Sequence, residues 1–400
     1  MDEQDHRSIG NRLELFHQQE EGPGVVFWHP RGLALYRCIE QYVRARMAEA
    51  GFQEVLTPQL LGRSLWEASG HWEKFGDNMF SFDDGERHFA LKPMSCPGHI
   101  QIFNKRLRSF RDLPLRFCEF GACHRYEPSG ALQGLMRTRA FVQDDAHIFC
   151  KEEHIEAEVA RFCDLLRQVY GDFGFPDFQV GFSTRPALRA GDDATWDRAE
   201  AALEAAAKRA GLAYHLKPGE GAFYGPKLEF VLTDSRGRAW QCGTIQLDFV
   251  LPERLKADYA EADGSRHRPV LLHHAVLGSL ERFIAVLLEH YQGRLPFWLA
   301  PEQVAIASIT EAAAAYASEV AARFRAAGIR AVADIRGERL ARKIVAAREA
   351  GIPAFIAVGN REAAGGTLSL RQPDGSAVAL EFPAALAHLQ ERAGPDRVRR

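Results

Sequence analysis

Residues 116–149 read RFCEFGACHRYEPSGALQGLMRTRAFVQDDAHIF. The two ends of this segment are strand-like. Its centre, EPSGALQG (127–134), collects the Pro, Ser and Gly residues that mark a turn or loop. The segment therefore predicts two long strands that pair through a loop, as in an antiparallel sheet.

Helices and a second hairpin flank this segment. The apolar residues of 31–50 share one helical face, Gly51 ends that pattern, and a short strand follows and ends at Pro58. Further helices are predicted over 152–170, 195–210 and 280–290, and a hairpin over 228–250. Because these elements do not alternate regularly, residues 1–296 are predicted to form an α+β domain with a mostly antiparallel sheet.

The pattern changes after Pro296. Three short apolar segments, VAIASI (304–309), IRAVADI (329–335) and AFIAVG (354–359), are separated by helix-like sequence. This β-α-β-α-β alternation favours parallel pairing through helical crossovers. Residues 297–400 are therefore predicted to form a separate small α/β domain.

Composition narrows the class of protein. Hydrophobic residues make up 46% and charged residues 26% of the 400 residues, and the formal net charge is −3. No segment approaches the ~18 consecutive apolar residues of a membrane helix, and the polar N-terminus lacks the features of a secretory signal. The seven scattered cysteines suit a reducing compartment. We expect a cytoplasmic protein that does not enter a membrane.

Nucleotide-binding motifs built on glycine are missing from the sequence. It contains no GxxxxGK[ST] and no GxGxxG that opens a helix after a strand. A nucleotide would have to be held in another way. Arginines are the obvious substitute, because the guanidinium fork matches phosphate geometry and keeps its charge.

Residues 116–149, with HRYE at 124–127, resemble the second signature motif of class II aminoacyl-tRNA synthetases. The resemblance implies that Arg125 pairs with the α-phosphate of ATP and with the acyl-adenylate. Glu127 and Phe141 would hold the adenine, and Arg137 would reach the phosphates. Without the resemblance, an arginine such as Arg125 is more often a surface ion pair.

The other two class II motifs are also matched. GSLERF (278–283) resembles the third motif, in which Arg282 would bind the γ-phosphate while Gly278 and Ser279 let the nucleotide approach the backbone. The helix 31–50 and its strand match the first motif, which forms a homodimer interface in the family. An ordinary core helix explains residues 31–50 equally well.

Three fragments are similar to the threonyl-tRNA synthetases within this class: KPMSCPGH (92–99), QDDAHIF (143–149) and VLLHHAVLGS (270–279). The resemblance implies that Cys96, His147 and His273 bind one zinc ion per chain. Three protein ligands with an open position describe a catalytic zinc site, and the open position would take the amine and β-hydroxyl of threonine. Spacing alone would suggest only a buried cysteine and core histidines.

His273 and His274 are adjacent on a predicted strand, so only one of them can face the site. The resemblance selects His273. The family often has arginine at the next position, and His274 departs from that pattern.

The same resemblance implies an amino-acid pocket. Asp145 would bind the amine or hydroxyl of threonine, and His71 would assist acyl transfer from near the terminal ribose of the tRNA. The remaining predicted residues of the pocket and its nucleotide edge are Gln143, Tyr224, Lys227, Gln241, Thr244, Gln246 and Ser279. Lys227 and His71 are predicted to be catalytic together with the two motif arginines. Plain cross-strand pairs and an exposed histidine without a role are the alternatives.

The last hundred residues resemble the anticodon-binding domain of several class II enzymes. Glu362 and Arg371 match positions that read anticodon bases, while Gly337 stands where the family frequently has asparagine. The segment IRGERLARKI (335–344) is predicted to place Arg336, Arg339 and Lys343 on one helix face, which would track phosphates. A solvated helix face is the alternative.

The resemblance as a whole implies activation of L-threonine with ATP and Mg²⁺ and its transfer to tRNA(Thr) by a homodimer. The family's N-terminal editing domains are not matched, so we expect serine to be attached as well, since one methyl group is worth only ~1–3 kcal/mol of discrimination. Two alternatives stay open. One is a paralogue with another acceptor or a resistance role, and the other is a silent regulator that binds tRNA.

Overall fold

The computed structural model describes residues 3–234, 236–372 and 374–395. Residues 1–2 of the first predicted domain and 396–400 of the second lie outside the described residues. The chain divides into two compact units. The core unit comprises residues 18–26 and 40–286. The terminal unit comprises the described parts of 1–17, 27–39 and 287–400. The domain boundary near Pro296 stays a prediction.

The secondary structure mixes helices and strands throughout. The helices, in chain order, are α1 (His6–Arg12), α2 (Pro30–Glu49), α3 (Arg63–Ser69), α4 (His71–Phe75), α5 (Cys96–Asn104), α6 (Ile155–Asp172), α7 (Asp193–Arg209), α8 (Val250–Arg254), α9 (Leu280–His290), α10 (Ala314–Ala326), α11 (Leu340–Glu349), α12 (Asn360–Gly365) and α13 (Phe382–Gln390). None of these helices, within the described ranges, is long and apolar enough to cross a membrane.

The strands are numbered separately, also in chain order. They are β1 (Phe16–His17), β2 (Phe27–Trp28), β3 (Gln53–Glu54), β4 (Leu60–Gly62), β5 (Ser81–Asp83), β6 (His88–Leu91), β7 (Arg108–Ser109), β8 (Leu115–His124), β9 (Ala140–Cys150), β10 (Gln179–Ser183), β11 (His215–Lys217), β12 (Lys227–Thr233), β13 (Ala239–Asp248), β14 (Tyr259–Ala260), β15 (Arg266–His267), β16 (Val270–Ser279), β17 (Val304–Ser308), β18 (Ala331–Asp334), β19 (Ala354–Val358), β20 (Thr367–Arg371) and β21 (Ala377–Glu381).

An eight-stranded sheet forms the centre of the core unit, in the order β11-β10-β12-β13-β16-β9-β8-β3. Strands β8 and β9 form the predicted hairpin and pair from Leu115 opposite Phe149 to His124 opposite Ala140. Only the outermost pairs of this sheet, β10 with β11 and β3 with β8, are parallel. The prediction of a mostly antiparallel α+β fold is therefore confirmed.

The two faces of this sheet are separated by the alternation of side chains along β9 and β16. Phe149 stacks on Phe103 of α5 at 4.3 Å between ring centroids, on the face that also carries His147 and His273. The opposite face is covered by α6, whose Phe162 lies 4.7 Å from the ring of His274. The choice of His273 over His274 for the site therefore agrees with the observed side-chain directions.

The terminal unit contains a five-stranded sheet in the order β18-β17-β19-β20-β21. Strand β17 pairs in parallel with β18 and β19, which confirms the predicted α/β alternation. Strands β20 and β21 extend the sheet in antiparallel pairing and were not predicted. Val320 and Phe324 of α10 and Leu389 of α13 are buried in its core.

The prediction of a basic stripe on one helix face at Arg336, Arg339 and Lys343 is wrong. Helix α11 begins at Leu340, so both arginines precede it. The Lys343 side chain is only 1% exposed, and its Nζ donates to the backbone oxygens of Ser308 (2.8 Å) and Asp334 (3.0 Å). These backbone acceptors hold Lys343 inside the unit, where it cannot contact a phosphate.

Candidate active site

A cavity of about 540 Å³ opens on the face of the large sheet that carries His147. Strands β9, β12, β13 and β16, the loop after β8 and the start of α9 supply much of its wall. Among its lining residues are Arg125, Glu127, Arg137, Phe141, Gln143, Tyr224, Lys227, Gln241, Thr244, Gln246, Ser279 and Arg282. The structure thus brings together all the predicted nucleotide residues and most of the predicted amino-acid pocket.

A smaller cavity of about 70 Å³ adjoins this space. It is lined by the three predicted zinc ligands and by Asp145. The residues that it shares with the larger cavity are Met94, Arg125, Gln143, Tyr224, Thr244 and Gln246. The shared wall means that a molecule in the larger cavity can extend to the predicted metal ligands.

The arginines of the larger cavity are anchored by backbone carbonyls. Arg125 Nε donates to the Pro93 oxygen at 3.2 Å, and its guanidinium lies 5.0 Å from the centre of the Phe141 ring. Arg282 donates from Nε to the Met136 oxygen (2.9 Å) and from Nη1 to the Gln241 oxygen (3.3 Å). Burial lowers the pKa of Arg282. Such anchoring fixes each guanidinium without cancelling its charge, which suits the binding of an anion.

The backbone before Arg282 is held by a residue that the sequence did not single out. Asp144 accepts the N–H groups of Val276 (2.8 Å), Leu277 (2.9 Å) and Gly278 (2.9 Å), where the pairing of β16 with β9 shifts register. Gly278 has a φ of +78°, and a Cβ there would lie 2.7 Å from the Cys242 oxygen. Burial raises the pKa of Asp144 to about 7, against the effect of these hydrogen bonds. Asp144 therefore shapes the turn that leads into Arg282.

Tyr224, Gln246 and Lys227 have specific partners in the predicted amino-acid pocket. The Tyr224 hydroxyl donates to Gln246 Oε1 at 2.5 Å. Lys227 Nζ lies 2.5 Å from Glu229 Oε1. Gln246 and Thr244 lie on β13, and both line the two cavities. Gln246 and Thr244 also lie opposite Lys227 and Glu229 in the pairing of β12 with β13, so the alternative of plain cross-strand pairs stays open.

Asp145 is a buried carboxylate next to the predicted metal ligands. Its Oδ2 accepts the backbone N–H of Ser95 at 3.3 Å, and its Oδ1 lies 4.0 Å from His147 Nε2. Burial raises the pKa of Asp145. A cationic amine in the smaller cavity would find a carboxylate partner there.

Cys96, His147 and His273 form a compact cluster. One ligand atom of each residue lies within 4.8 Å of the others, and all three side chains are buried. His147 Nε2 lies 3.0 Å from His273 Nδ1. Burial raises the pKa of the Cys96 thiol and lowers that of His147. A donor set of one sulfur and two imidazoles fits zinc.

Three further residues surround this cluster, and the sequence analysis did not identify them. Asp248 Oδ2 lies 2.9 Å from His273 Nε2. His99 Nδ1 lies 2.8 Å from His147 Nδ1, and His99 Nε2 lies 3.0 Å from Glu119 Oε2. One signal was available, because KPMSCPGH places His99 three residues after Cys96, on the same helical face.

His71 is a buried residue that lies next to Cys96. The side chain is 0% exposed, so the alternative of an exposed histidine without a role is wrong. Its Nδ1 lies 2.8 Å from Ser69 Oγ, and its Nε2 lies 3.5 Å from Cys96 Sγ. Burial lowers its pKa to about 3. The structure places His71 behind Cys96, and its role in acyl transfer stays a prediction.

The two predicted anticodon residues lie in different elements of the terminal unit. Glu362, in α12 before β20, accepts the Gly359 N–H at 2.8 Å and so caps its helix. Arg371 ends β20 and lines a cavity of about 530 Å³ with Phe355 and His388. The structure does not bring these two residues together.

Two family models match the chain. Residues 78–291 match the class II core domain of tRNA synthetases (G, H, P, S and T), and residues 303–391 match an anticodon binding domain. Among solved structures, the RNA binding domain of threonyl-tRNA synthetase from Cryptosporidium parvum is similar, with a TM-score of 0.95 and 39% identity over 99% of this chain and 100% of that chain.

Curated relatives are similar over the whole chain. The threonine–tRNA ligase of Caulobacter vibrioides is 57% identical over 401 residues, covering 100% of this chain and 61% of the relative. That of Rhodospirillum rubrum is 56% identical over 397 residues, covering 99% of this chain and 62% of the relative. The chain thus spans less than two thirds of the length of these relatives.

Proposed function

The chain belongs to the class II aminoacyl-tRNA synthetases, within the threonyl-tRNA synthetase family, and we propose that it activates L-threonine with ATP and transfers it to the 3′ end of tRNA(Thr). The products are AMP and diphosphate. The observation that carries the proposal is the wall shared by the arginine-lined cavity and the metal-ligand cluster. A threonyl-adenylate needs both, because its phosphate and its amino-acid moiety are joined in one molecule.

In the proposed first step, the threonine carboxylate attacks the α-phosphorus of ATP, which enters as its Mg²⁺ complex. Arg125 stabilises the charge on the α-phosphate, Arg282 holds the γ-phosphate, and Arg137 contacts the phosphates from the loop. The anchoring of Arg125 and Arg282 to backbone oxygens supports these roles, because a fixed guanidinium needs little rearrangement as charge develops. Phe141, Glu127 and Gln241 hold the adenosine at the same cavity wall.

Cys96, His147 and His273 hold one zinc ion per chain in this proposal. Their compact, buried donor set supports it. When bound, zinc would supply open coordination for the amine and the hydroxyl of threonine, since a catalytic site with three protein ligands can expand to five ligands. Asp145 pairs with the threonine amine, while Gln143, Tyr224, Thr244, Gln246 and Lys227 enclose the side chain and carboxylate. Valine, which has a methyl group in place of the hydroxyl, is rejected.

Transfer to tRNA is the proposed second step. The ribose hydroxyl of the terminal nucleotide attacks the adenylate carbonyl, Ser279 lies at the edge of this space, and His71 assists from behind Cys96. Glu362 and Arg371 contact the anticodon from separate positions in the terminal unit. No covalent intermediate with the protein is required.

We further propose that the protein acts in the cytoplasm as a homodimer. Strand β3 lies at the edge of the large sheet, and Leu56, two residues after its end, is 83% exposed. An apolar side chain at an open sheet edge supports pairing with a second copy.

The 400-residue chain is also proposed to attach serine to tRNA. Serine has the amine and the hydroxyl that the pocket recognises, and its missing methyl group is worth only ~1–3 kcal/mol, or roughly 10- to 200-fold. Undetectable seryl-tRNA under conditions that give abundant threonyl-tRNA would contradict this point.

The experiment that tests the proposal is the charging of total tRNA with labelled threonine and ATP, with labelled serine in parallel. We expect threonyl-tRNA as the main product and seryl-tRNA as a minor one. A chain that forms threonyl-adenylate but charges no tRNA would instead be a paralogue with another acceptor. A chain that binds tRNA and activates no amino acid would be a silent regulator.

A further inference from the structure

The metal-ligand residues His147 and His273 each direct one ring nitrogen into the cluster and the other outward. Their inner nitrogens, His147 Nε2 and His273 Nδ1, lie 3.0 Å apart. A neutral imidazole carries one proton, and a metal ligand must keep its inner nitrogen bare. The outer nitrogen therefore has to carry the proton, and its hydrogen-bond partner decides whether it does.

On the His273 side the partner is a carboxylate. Asp248 Oδ2 lies 2.9 Å from His273 Nε2, while Asp248 Oδ1 accepts the N–H groups of Val250 (2.6 Å) and Leu251 (3.0 Å). An ionised carboxylate can only accept hydrogen bonds. His273 Nε2 thus carries the proton, and His273 Nδ1 is bare.

On the His147 side the partner is another imidazole, which can either donate or accept. His99 Nδ1 lies 2.8 Å from His147 Nδ1, so this contact alone does not fix the tautomer. The next contact does, because His99 Nε2 lies 3.0 Å from Glu119 Oε2. If Glu119 accepts, His99 Nε2 carries a proton, His99 Nδ1 accepts from His147 Nδ1, and His147 Nε2 is left bare.

Glu119 is held as an acceptor by donors on its remaining lone pairs. Its Oε1 accepts from Lys92 Nζ (2.6 Å) and from the Thr57 N–H (3.1 Å), and its Oε2 also accepts from Thr57 Oγ1 (2.8 Å). The carboxylate is buried, so no solvent competes for these contacts. Both inner nitrogens of the cluster are therefore bare and face each other, an arrangement that a cation between them would satisfy.

We propose that Glu119, acting through His99, is a positioning residue for the metal ligand His147. Glu119 sets the tautomer of His147 through two successive hydrogen bonds, with His99 between them. Asp248 sets the tautomer of His273 through one direct hydrogen bond. The inference rests on the proposed function, in which Cys96, His147 and His273 hold zinc. It assigns a role to a buried network that the activation chemistry itself does not use.

The hydrogen bonds between Glu119 and His99 and between His99 and His147 form a relay. The change Glu119→Gln reverses the donor and acceptor roles along this relay. The amide oxygen of the new side chain will face Lys92, because an amide nitrogen cannot accept from an ammonium group. The amide nitrogen then faces His99 and donates to Nε2. His99 Nδ1 becomes the donor, His147 Nδ1 the acceptor, and a proton on His147 Nε2 points at the metal position.

A purely structural network would behave differently. In that case Glu119 contributes only to packing and hydrogen bonding within the core unit, and its substitution lowers stability without a specific effect on zinc. The change His99→Asn separates the two cases. The asparagine Oδ1 replaces the His99 Nδ1 as the acceptor for His147. An amide oxygen accepts hydrogen bonds without needing a bond to Glu119.

The test measures the zinc dissociation constant of the full chain by competition with a chromophoric chelator, and the thermal unfolding midpoint of each zinc-free protein. The variants are Glu119→Gln, His99→Asn, the double variant and His99→Leu. The matched control is Glu158→Gln, which removes another buried carboxylate of the core unit, paired with Arg116 at 2.6 Å. Wild type is expected to bind one equivalent of zinc.

We expect Glu119→Gln and His99→Leu to weaken zinc binding about 10- to 100-fold, while His99→Asn and Glu158→Gln stay within about 3-fold of wild type. In the His99→Asn background, Glu119→Gln should cause no further loss, since the relay is already bypassed. Equal losses from Glu119→Gln in both backgrounds, or wild-type affinity for Glu119→Gln, would overturn the relay. If Glu119→Gln does not fold, equal affinities of His99→Asn and His99→Leu overturn it. A wild type that binds no zinc would instead overturn the proposed metal centre.

Discussion

Replacing Arg282 by lysine should impair amino-acid activation although it preserves the positive charge. Arg282 holds its guanidinium with two bonds to backbone oxygens, from Nε to Met136 (2.9 Å) and from Nη1 to Gln241 (3.3 Å), while lining the nucleotide cavity. A lysine ammonium is a single point of donation on a flexible stem. It cannot keep both anchors and also contact a phosphate oxygen.

The size of the effect follows from the bonds that are lost. A hydrogen bond to or from a charged group is worth about 1.5–3 kcal/mol. Loss of one such bond in the transition state lowers kcat/KM for ATP by about 10- to 150-fold, since about 1.4 kcal/mol corresponds to a factor of ten. The assay is threonine-dependent exchange of labelled pyrophosphate into ATP.

A matched substitution provides the control. Arg254 is also anchored to backbone oxygens, at Ala68 (3.1 Å) and Glu67 (3.5 Å), but it does not line the cavity. Arg254→Lys should leave the exchange rate within about 2-fold of wild type. Wild-type kinetics in Arg282→Lys, or an equal loss in both variants, would refute the reasoning.

Three further predictions concern stability. His274→Leu should raise the thermal unfolding midpoint by about 2–4 °C. Neither buried ring nitrogen of His274 has a hydrogen-bond partner among the described residues, and removing both should stabilise the fold by about 1 kcal/mol net of the lost ring contacts. A lower midpoint would contradict this. Burial raises the pKa of Glu281 to about 8, so the native state keeps a proton that the unfolded state releases. The contribution of Glu281 to the free energy of unfolding in urea should therefore be lost as the pH rises from about 4 to about 8, and Glu281→Gln should lack this loss; the same pH dependence in wild type and variant would speak against it. Lys343→Met should lower the free energy of unfolding in urea by about 1–3 kcal/mol by leaving two backbone oxygens without a donor, whereas exposed Arg342→Met should change it by under about 0.5 kcal/mol; similar losses in both would show that Lys343 has no special role.

The sequence predicted those parts of the fold that depend on local pattern. The loop 127–134 between two strand-like segments predicted the β8–β9 hairpin, and the alternation after Pro296 predicted the parallel strands of the terminal unit. Contacts between distant residues could not be predicted in this way. His6, for example, lies 2.8 Å from Glu289 Oε1 across almost the whole chain, and no periodicity reports such a pair.

Lys343 shows how a correct residue pattern can mislead. Its spacing from Arg336 and Arg339 fits one helical face, but the helix begins only at Leu340. Helix boundaries are set by capping and tertiary contacts. Lys343 is buried and donates to the backbone oxygens of Ser308 and Asp334, which belong to other elements. The spacing of residues in the sequence does not show that these elements lie beside Lys343.

The candidate site was predicted through family resemblance more than through chemistry readable from spacing. Cys96, His147 and His273 are far apart in sequence and meet only because α5 packs on the face of β9 and β16. Asp248, the outer partner of His273, and Glu119, the partner of His99, were missed because each is a single carboxylate within an ordinary strand. Only the sheet register shows that Asp248 lies opposite Leu271, two residues from His273.

The most direct test of the central claim is pyrophosphate exchange by the zinc-loaded chain with threonine and with valine as the amino acid. We expect robust exchange with threonine and none above background with valine, because only threonine offers a β-hydroxyl to the cluster of Cys96, His147 and His273 beside Asp145. Comparable exchange with both amino acids, or exchange with threonine that is unaffected when zinc is removed, would contradict it.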